Sequence, residues 1–398
     1  MPDTVLLTLG RLPKGLDLAR SFRRAGYRVI VADPFRWHLM RVSRAVSRSY
    51  LVTAPNVDAE RYLNELERII RRENVSIVVP VSEESIYVAA LKERLGSSVD
   101  IYGMSQETLL ALHDKLRFIE TAAAIGLSVP ETYRLDDPRA GRLAETGDYV
   151  LKPINACAGR GVRIEKQGTA LPDGTTGTST VVQRHVEGWA ASSFSMTHEG
   201  RVMLTVVYRG TIMSGTVAVG FERVDKRTGI EEWVDTFVAH IGYSGFIAFD
   251  FIIDRDGKPF AIECNPRATS GLHFVATDIL APMMLYPNRA TPPRLRVDRQ
   301  FQQFWPCLTE TQARILCWPD FWRHLKSLCR SRDVTWRRRD PLPFLLMPFT
   351  SMKMFWTAMT TEKSLGEAAT DDIEWVPLAE RPSDVGSAPG PTETATDI

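Results

Sequence analysis

Residues 245–267, GFIAFDFIIDRDGKPFAIECNPR, constrain the fold of this chain more than any other segment. Two apolar runs flank Asp256-Gly257, and this pattern predicts a β-hairpin with a two-residue turn that pairs Arg255 with Lys258. Side chains alternate between the two faces of a strand, so one face of the hairpin is predicted to belong to the core. That face carries Phe249, Phe251, Ile253, Phe260, Ile262 and Cys264.

The opposite face of the predicted hairpin carries two acids. The register places Asp250 opposite Glu263, and Asn265 follows on the same face. Opposed β-carbons lie about 4.5–5.5 Å apart, so two bare carboxylates there would repel by about 3–4 kcal/mol. Mg²⁺ would neutralise them, since it takes carboxylate and amide oxygens together with nucleotide phosphates. The alternative is that one acid is protonated or pairs with a lysine or arginine.

Two lysines and a glycine-rich turn could serve phosphate groups. Lys152 ends an apolar strand, and the following AGRG segment, with Gly159 and Gly161, can bring amide N–H groups close to an anion. Lys115, in the sequence HDK, is a second candidate cation. Taken singly, a Lys-Pro followed by a Gly-rich turn is more typical of an ordinary hairpin, and a single helix lysine is more typical of an exposed position.

The first hundred residues alternate strands with helices, which predicts a parallel sheet of Rossmann-like type. The pattern predicts one helix over 82–96, capped by Ser82, and another over 105–126, capped by Ser105. The dinucleotide motif GxGxxG is missing, which disfavours an NAD-linked oxidoreductase. Asp33 is therefore interpreted as a structural or substrate-contacting acid.

Composition narrows the class of protein. The 398 residues carry a net charge of +1, which gives no general attraction to nucleic acid or to an anionic membrane. Five cysteines without a CxxC pair favour a reducing, cytoplasmic location over a disulfide framework. We find no signal peptide pattern, and prolines interrupt the apolar stretch 341–359, which makes it a poor membrane span.

Five segments occur in an order that resembles the ATP-grasp superfamily of ligases: HDK, VLKPINACAGRGV, VVQRHVEG, FDF and IECNPR. The resemblance implies a mixed α/β and α+β chain, in which a Rossmann-like pre-ATP-grasp domain precedes the ATP-grasp fold. The implied divisions are a pre-ATP-grasp domain at 1–104, the ATP-grasp domain at 105–280, a helical C-terminal extension at 281–377 and a disordered tail at 378–398.

The resemblance also implies roles for individual residues. Lys115 and Lys152 would contact the phosphates of ATP, and the loop 157–161 would cover them. The adenine would be lined by Gln183, Arg184 and Val186, with Glu187 as a candidate for the ribose. The metal ligands would be Asp250, Glu263 and Asn265, holding Mg²⁺ or Mn²⁺. Arg267 would face the transferred phosphate, the alternative being a salt bridge to Asp250 or Glu263.

His273 either lines the acceptor pocket, where it would act as an acid or base, or is a structural histidine. The acceptor pocket is expected to be formed by segments 80–85, 208–225 and 268–273.

A narrower similarity connects the chain with the branch that contains mycosporine-glycine synthase, through segments such as LARSFRRAGYRVI, AIECNPR and RDPLPFL. It implies an ATP-dependent ligase that joins a small carboxylic or enolic acid to an amine or amino acid through an acyl- or enol-phosphate. The alternative is an ATP-binding regulatory or scaffold protein without ligation activity. The expected partners are small-molecule substrates, and homodimers are common among relatives of this fold.

Overall fold

The computed structural model describes residues 2–155, 161–172, 179–226, 228–289, 292–315, 318–361 and 370–375. Its first part is a five-stranded parallel sheet with strand order β3-β2-β1-β4-β5. The strands are β1 (Thr4–Leu7), β2 (Arg28–Asp33), β3 (Arg48–Leu51), β4 (Val75–Val79) and β5 (Asp100–Ile101). The helices are α1 (Pro13–Arg24), α2 (Ala59–Glu73), α3 (Ser85–Ala89) and α4 (Leu91–Leu95). The predicted Rossmann-like sheet is confirmed.

The helix predicted over 82–96 is divided in two, and its predicted cap is wrong. Ser82 does not cap α3, which has no side-chain cap. Instead the buried carboxylate of Glu84 accepts hydrogen bonds from the backbone N–H groups of Val81 and Ser82. These bonds accompany a turn before α3, in which Ser82 and Glu83 line a cavity.

The buried acid at the end of β2 is structural. The Asp33 carboxylate accepts hydrogen bonds from the backbone N–H groups of Gly10 and Arg11 and is paired with the Arg11 guanidinium. These contacts tie the β1–α1 loop to β2, so this carboxylate is already bonded within the protein.

The long helix predicted over 105–126 is also interrupted. It forms α5 (Gln106–His113) and α6 (Lys115–Ala124), and the Ser105 hydroxyl caps α5 as predicted. The break occurs at Asp114, whose carboxylate accepts hydrogen bonds from two backbone N–H groups of the first turn of α6. A helix N-cap at this position makes Lys115 the first residue of α6, where its side chain is buried.

A small antiparallel sheet follows, with strand order β6-β9-β7-β8. Its strands are β6 (Thr132–Arg134), β7 (Tyr149–Pro153), β8 (Arg163–Glu165) and β9 (Thr180–Arg184), and α7 (Pro138–Thr146) packs on it. The Gly-rich segment that contains Gly159 lies outside the described residues.

The largest sheet has seven strands in the order β14-β13-β10-β11-β12-β15-β16. The strands are β10 (Trp189–His198), β11 (Arg201–Ser214), β12 (Val217–Arg223), β13 (Gly245–Ile253), β14 (Pro259–Asn265), β15 (Gln300–Gln302) and β16 (Arg332–Asp333). The helices are α8 (Ile230–Ile241), α9 (Thr277–Leu285), α10 (Phe304–Ala313), α11 (Trp318–Arg330) and α12 (Leu342–Thr361).

Two strands of the C-terminal region, β15 and β16, extend this sheet, so the region is not purely helical. None of the helices in the described ranges has the length and apolar character needed to cross a bilayer.

The hairpin of β13 and β14 has the predicted pairing of acids but not the predicted turn. Asp250 pairs with Glu263, as expected. The connection, however, is the longer loop 254–258, closed by a hydrogen bond from the Asp254 N–H to the Lys258 carbonyl. Gly257 occupies the left-handed region at φ +85°, which a glycine adopts without steric strain.

A β-bulge restores the register that the longer turn would otherwise shift. The pairing changes between Asp250 and Phe251, so that Phe251 faces Ala261 and Ile262 is the additional residue. Ala261 therefore enters the core, whereas Ile262 lines the cavity beside Glu263. The prediction that Phe260 and Ile262 belong to the core is wrong for this reason.

Aromatic packing holds the back of the hairpin in place. Phe249 and Phe251 are fully buried against Trp233 and Phe237 of α8, with Phe118 of α6 in the same cluster. Ring centroids lie 5.2–5.5 Å apart in three of these contacts, within the range of favourable aromatic pairs. The same cluster fixes the hairpin and α6, and so it sets the position of the acids relative to Lys115.

Candidate active site

A cavity of about 1260 Å³ lies between the large sheet, the small sheet and the N-terminal region. The three segments expected to form the acceptor pocket, 80–85, 208–225 and 268–273, all contribute lining residues. The predicted site residues that line it are Lys152, Gln183, Arg184, Val186, Asp250, Glu263, Asn265, Arg267 and His273. Tertiary structure thus brings most of the predicted residues to one cavity.

The Asp250 carboxylate of the acid pair is hydrogen-bonded to neutral side chains. Asp250 accepts a hydrogen bond from the Ser192 hydroxyl at 2.6 Å and another from the Asn265 amide nitrogen at 3.0 Å. Burial, and next the nearby Glu263 carboxylate, raise the pKa of Asp250 to about 6. A cation between the carboxylates would offset their repulsion and favour the ionised form of Asp250, which opposes this shift.

These residues fit a magnesium ion of the kind that accompanies a nucleotide. Within the described ranges, no three Asp, Glu, His or Cys side chains converge on one point. Mg²⁺ is usually held by one or two carboxylates, with phosphate and water oxygens completing the shell. A pair of carboxylates whose mutual repulsion is not fully compensated suits that arrangement.

Lys115 approaches the acid pair from α6. Its ammonium lies 3.6 Å from an oxygen of Glu263 and 3.4 Å from the Ile154 carbonyl, and the side chain is buried. The N-cap at Asp114 produces this placement, and the sequence pattern of one continuous helix did not indicate it.

Lys152 is buried at the end of β7. Its ammonium donates to the Gln183 side-chain oxygen at 2.9 Å and to the Ile262 carbonyl at 2.8 Å. Burial, and next the charge of Lys115, lower the pKa of Lys152 to about 7. Gln183 also donates to the Thr132 hydroxyl, so its side chain is engaged in orienting the lysine.

Arg267 pairs with an acid that the sequence argument did not single out. Its guanidinium forms a salt bridge with Glu83 and donates to the Asn265 side-chain oxygen at 2.8 Å. The salt bridge to Glu83 differs from the predicted alternative, which named Asp250 or Glu263. Glu83 lies in the segment 80–85, which is predicted to form part of the acceptor pocket. The sequence pattern does not distinguish Glu83 from its neighbours in that segment.

Asn265 is oriented by these two contacts. It presents its amide nitrogen to Asp250 and its oxygen to Arg267. Coordination of a metal by the Asn265 oxygen therefore requires the amide to turn over.

The remaining nucleotide-binding candidates do not all line the cavity. Arg184 and Val186 both line the cavity, and the Arg184 guanidinium also donates to the Thr146 hydroxyl. Glu187 is exposed and paired with Arg255, outside the cavity lining. The structure therefore separates the ribose candidate from the acids and lysines. Gly161 has φ +69° and lies against Pro153, outside the lining as well.

His273 lies in a buried ionic network that the sequence did not reveal. Its Nδ1 is 2.8 Å from Asp17, which also contacts Arg296 at 2.7 Å and Arg337 at 3.3 Å. Burial, which outweighs the effect of Asp17, lowers the pKa of His273. Burial alone would raise the pKa of Asp17, but Arg296, His273 and Arg337 together hold it well below its usual range.

Replacing Asp17 by asparagine is expected to destabilise the protein by about 3–5 kcal/mol, because it leaves buried positive charge without its partner. Since the folded state lowers the pKa of Asp17, its contribution is present above about pH 4 and is lost as the pH falls through the lower folded value. Urea unfolding at pH 7 and at acidic pH measures both effects. The matched change Asp235→Asn, on the exposed side of α8, should have little effect. An equal loss in the two variants would contradict the role of the network.

Comparisons with known proteins agree with this fold. Residues 112–271 match the ATP-grasp domain family. No curated protein sequence matches the chain. N5-carboxyaminoimidazole synthetase from Staphylococcus aureus shares the fold with a TM-score of 0.58 at 17% identity, covering 74% of this chain and 81% of that one.

Two further solved structures have the same fold. The biotin carboxylase domain of 2-oxoglutarate carboxylase from Hydrogenobacter thermophilus, in complex with MgADP and bicarbonate, has a TM-score of 0.59 at 15% identity and covers 74% of this chain and 73% of that one. The L-amino acid ligase from Bacillus licheniformis has a TM-score of 0.55 at 16% identity and covers 71% and 74%. The family match, with an architecture that agrees with it, leads to one assignment: residues 112–271 of the chain form an ATP-grasp domain.

Proposed function

We propose that the protein is an ATP-dependent ligase that forms a C–N bond, of the amide or imine type, between a small carboxylic or enolic acid and an amine or amino acid. The observation that carries this proposal is the acid pair Asp250 and Glu263 on adjacent strands, with Lys115 at 3.6 Å and Lys152 and Arg267 in the same cavity. Two carboxylates, two lysines and an arginine are the groups that a Mg-nucleotide and a transferred phosphoryl group require.

The proposed chemistry has two steps. An oxygen of the acid attacks the γ-phosphorus of ATP, the bond to the β–γ bridging oxygen breaks, and ADP leaves. The amine nitrogen then attacks the activated carbon, the bond to the phosphate oxygen breaks, and phosphate leaves as the nitrogen loses a proton. Bound Mg²⁺, or Mn²⁺, would neutralise phosphate charge in the first step.

Side chains of the protein would stabilise the remaining negative charge of the phosphate groups. We assign Lys115 and Lys152 to the phosphate oxygens of ATP and Arg267 to the phosphoryl group in transfer, since such catalysis depends mainly on positioning and charge. Asp250 and Glu263 would hold the cation. His273 is assigned to the acceptor side, where its neutral ring could take the proton that the amine releases.

The proposed division of the chain accompanies this function. Residues 1–104 would form the pre-ATP-grasp domain, 105–280 the ATP-grasp domain and 281–377 an extension that packs on the core. The tail proposed at 378–398 lies outside the described residues. We propose a homodimer with small-molecule substrates and a cytoplasmic location.

An ATP-binding regulatory protein without ligation is the alternative. The presence of Lys152 and both acids in one cavity, with Lys115 beside Glu263, favours the enzyme, because a scaffold needs no group to stabilise a transferred phosphoryl. Among the neighbours, the carboxylase was solved with bicarbonate, so bicarbonate belongs in the test as an acid substrate.

The test is a screen for phosphate release with Mg-ATP, in which acids and amines are supplied singly and in pairs. A ligase is expected to release phosphate only, or much faster, when an acid and an amine are both present, and mass spectrometry should then show the condensed product. ATP binding without phosphate release under any pairing would favour the regulatory alternative. Release that depends on bicarbonate and an amine would indicate a carboxylating ligase instead.

A further inference from the structure

The cavity extends well beyond the acid pair, beneath the C-terminal helices. We call this part the distal lobe and define it by its apolar lining residues Leu12, Leu39, Phe221, Trp305, Leu308 and Met347. Leu12 immediately precedes α1, Leu39 follows β2, and the others lie on β12, α10 and α12. All except Leu308 belong to the main core cluster or pack against it. The walls of the distal lobe are therefore part of the packed protein core and do not form a shallow surface groove.

Strand order gives the separation between the distal lobe and the acids. Asp250 lies on β13 and Phe221 on β12, and β10 and β11 lie between these strands. Three strand spacings correspond to about 14 Å. A cavity of about 1260 Å³ also exceeds the usual range of about 300–1,000 Å³ for one small ligand. The distal lobe thus has room for a group other than the nucleotide.

Charge in the cavity changes between its two ends. The acidic lining residues in the described chain are Glu83, Asp250 and Glu263, and none of the described lining residues on α10 or α12 is charged. The Trp305 indole N–H donates to the Phe344 carbonyl, which leaves its ring as an apolar surface. An apolar, uncharged group suits this end of the cavity.

Cationic side chains lie between the acid pair and the distal lobe. Lys14 follows Leu12 and Pro13 into the cavity, and its ammonium donates to the Ser82 hydroxyl at 3.1 Å and to the Ala268 carbonyl at 2.6 Å. No described carboxylate lies within salt-bridge distance of Lys14. Arg267, Glu84 and Glu83 all lie close enough to Lys14 to act on its charge. A carboxylate held near these two cations would point its substituent past Leu12 into the distal lobe.

We propose that the acid substrate carries an extended apolar substituent, which the distal lobe binds while Lys14 and Arg267 hold its carboxylate. This inference rests on the proposed ligase function and names the class of acid that it uses. The C-terminal extension then sets substrate specificity, because α10 and α12 supply half of the residues that define the distal lobe.

A series of straight-chain acids, from acetate through butanoate and hexanoate to octanoate, tests the proposal with Mg-ATP and an amine that supports turnover. The kcat/KM for the acid is expected to rise about threefold to fourfold for each added methylene until the distal lobe is filled. Equal values for acetate and octanoate, or a preference for acetate, would overturn it.

The substitution Leu308→Arg tests whether the distal lobe causes the dependence of kcat/KM on chain length. A guanidinium in the distal lobe should reduce kcat/KM for octanoate by at least about tenfold while acetate changes by less than about twofold. The control is Leu345→Arg, the same change at an exposed position of α12 outside the cavity lining. If Leu308→Arg does not fold, Leu308→Ala should still lower the octanoate value and spare acetate. Equal losses in the cavity variant and the control would refute the distal lobe as the binding site.

Binding without turnover separates this proposal from the ligase function. Calorimetry of octanoate and acetate is done in the presence of Mg²⁺ and a non-hydrolysable ATP analogue. Tighter octanoate binding that Leu308→Arg removes and Leu345→Arg retains supports the distal lobe, even when no acid–amine pair releases phosphate and the ligase function fails. Phosphate release with small acids alone, without octanoate binding, supports the ligase and rejects the apolar substituent.

Discussion

Replacing Glu263 by glutamine is expected to lower Mg-dependent ATP turnover by at least about 100-fold while the protein remains folded. Loss of a residue that only supports a metal ligand typically costs 10–100-fold, and Glu263 is assigned as a ligand itself. The change keeps the size of the side chain and its place opposite Asp250 on the adjacent strand. Steady-state phosphate release at saturating ATP measures the effect.

The stability of the Glu263→Gln variant provides the internal check. Glu263 raises the pKa of Asp250, so the two carboxylates repel each other in the protein without a cation. Removing one charge relieves this repulsion but also loses the contact with Lys115, so the melting temperature should change little. A large fall in melting temperature would mean that turnover was lost through unfolding and not through the metal site.

Glu232→Gln is the matched control for this experiment. Glu232 is exposed on α8, on an element that packs against the opposite face of the hairpin. The same chemical change there should leave turnover within about twofold, as surface substitutions usually do. Full activity in Glu263→Gln would remove the acid pair from the mechanism.

Replacing Lys152 by methionine is expected to lower ATP turnover by about 100-fold or more, since a buried cation aimed at the transferred phosphate is among the largest electrostatic contributions to such a reaction. Lys152 is held by Gln183 and by the Ile262 carbonyl, and methionine preserves much of its length without the charge. Lys166→Met, at an exposed lysine paired with Asp148, is the control. Comparable losses in both variants would contradict a specific role.

Proton uptake on ATP binding provides a second test of the role of Lys152. In the protein without nucleotide its pKa is lowered to about 7, chiefly by burial. Phosphate oxygens favour the ammonium form and should raise this pKa, so ATP binding at pH 8 should take up about one proton. Calorimetry in two buffers with different ionisation enthalpies measures the uptake, which Lys152→Met should abolish. Uptake that persists in the variant would assign the proton to another group.

The β13–β14 hairpin shows how much of the structure the local sequence pattern predicts. The alternation of apolar residues predicted that Asp250 faces Glu263, and the structure agrees. It agrees for a partly different reason, because the turn is longer than predicted and a bulge at Ile262 compensates for it. Bulges depend on packing of the strand against its neighbours, and here Ala261 fits the core beneath α8.

The sequence pattern did not predict the contacts of the cationic side chains. Lys115 and Arg267 were identified as candidates, but their partners depend on distant segments. Glu83 meets Arg267 only because the N-terminal sheet packs against the large sheet. Asp17 was likewise an unremarkable position in the pattern of α1, and the network with His273 and Arg296 gives it a role.

By itself the sequence determined the alternation of strands and helices, the two acids on neighbouring strands, and the set of lysines and arginine that suits a nucleotide. These follow from local periodicity and residue chemistry, which act over a few neighbouring residues. Tertiary structure alone decided the partner of each charge, the shifted pKa of Lys152 and the distal lobe. Burial and charge pairing depend on residues far apart in the chain, and only packing brings those residues together.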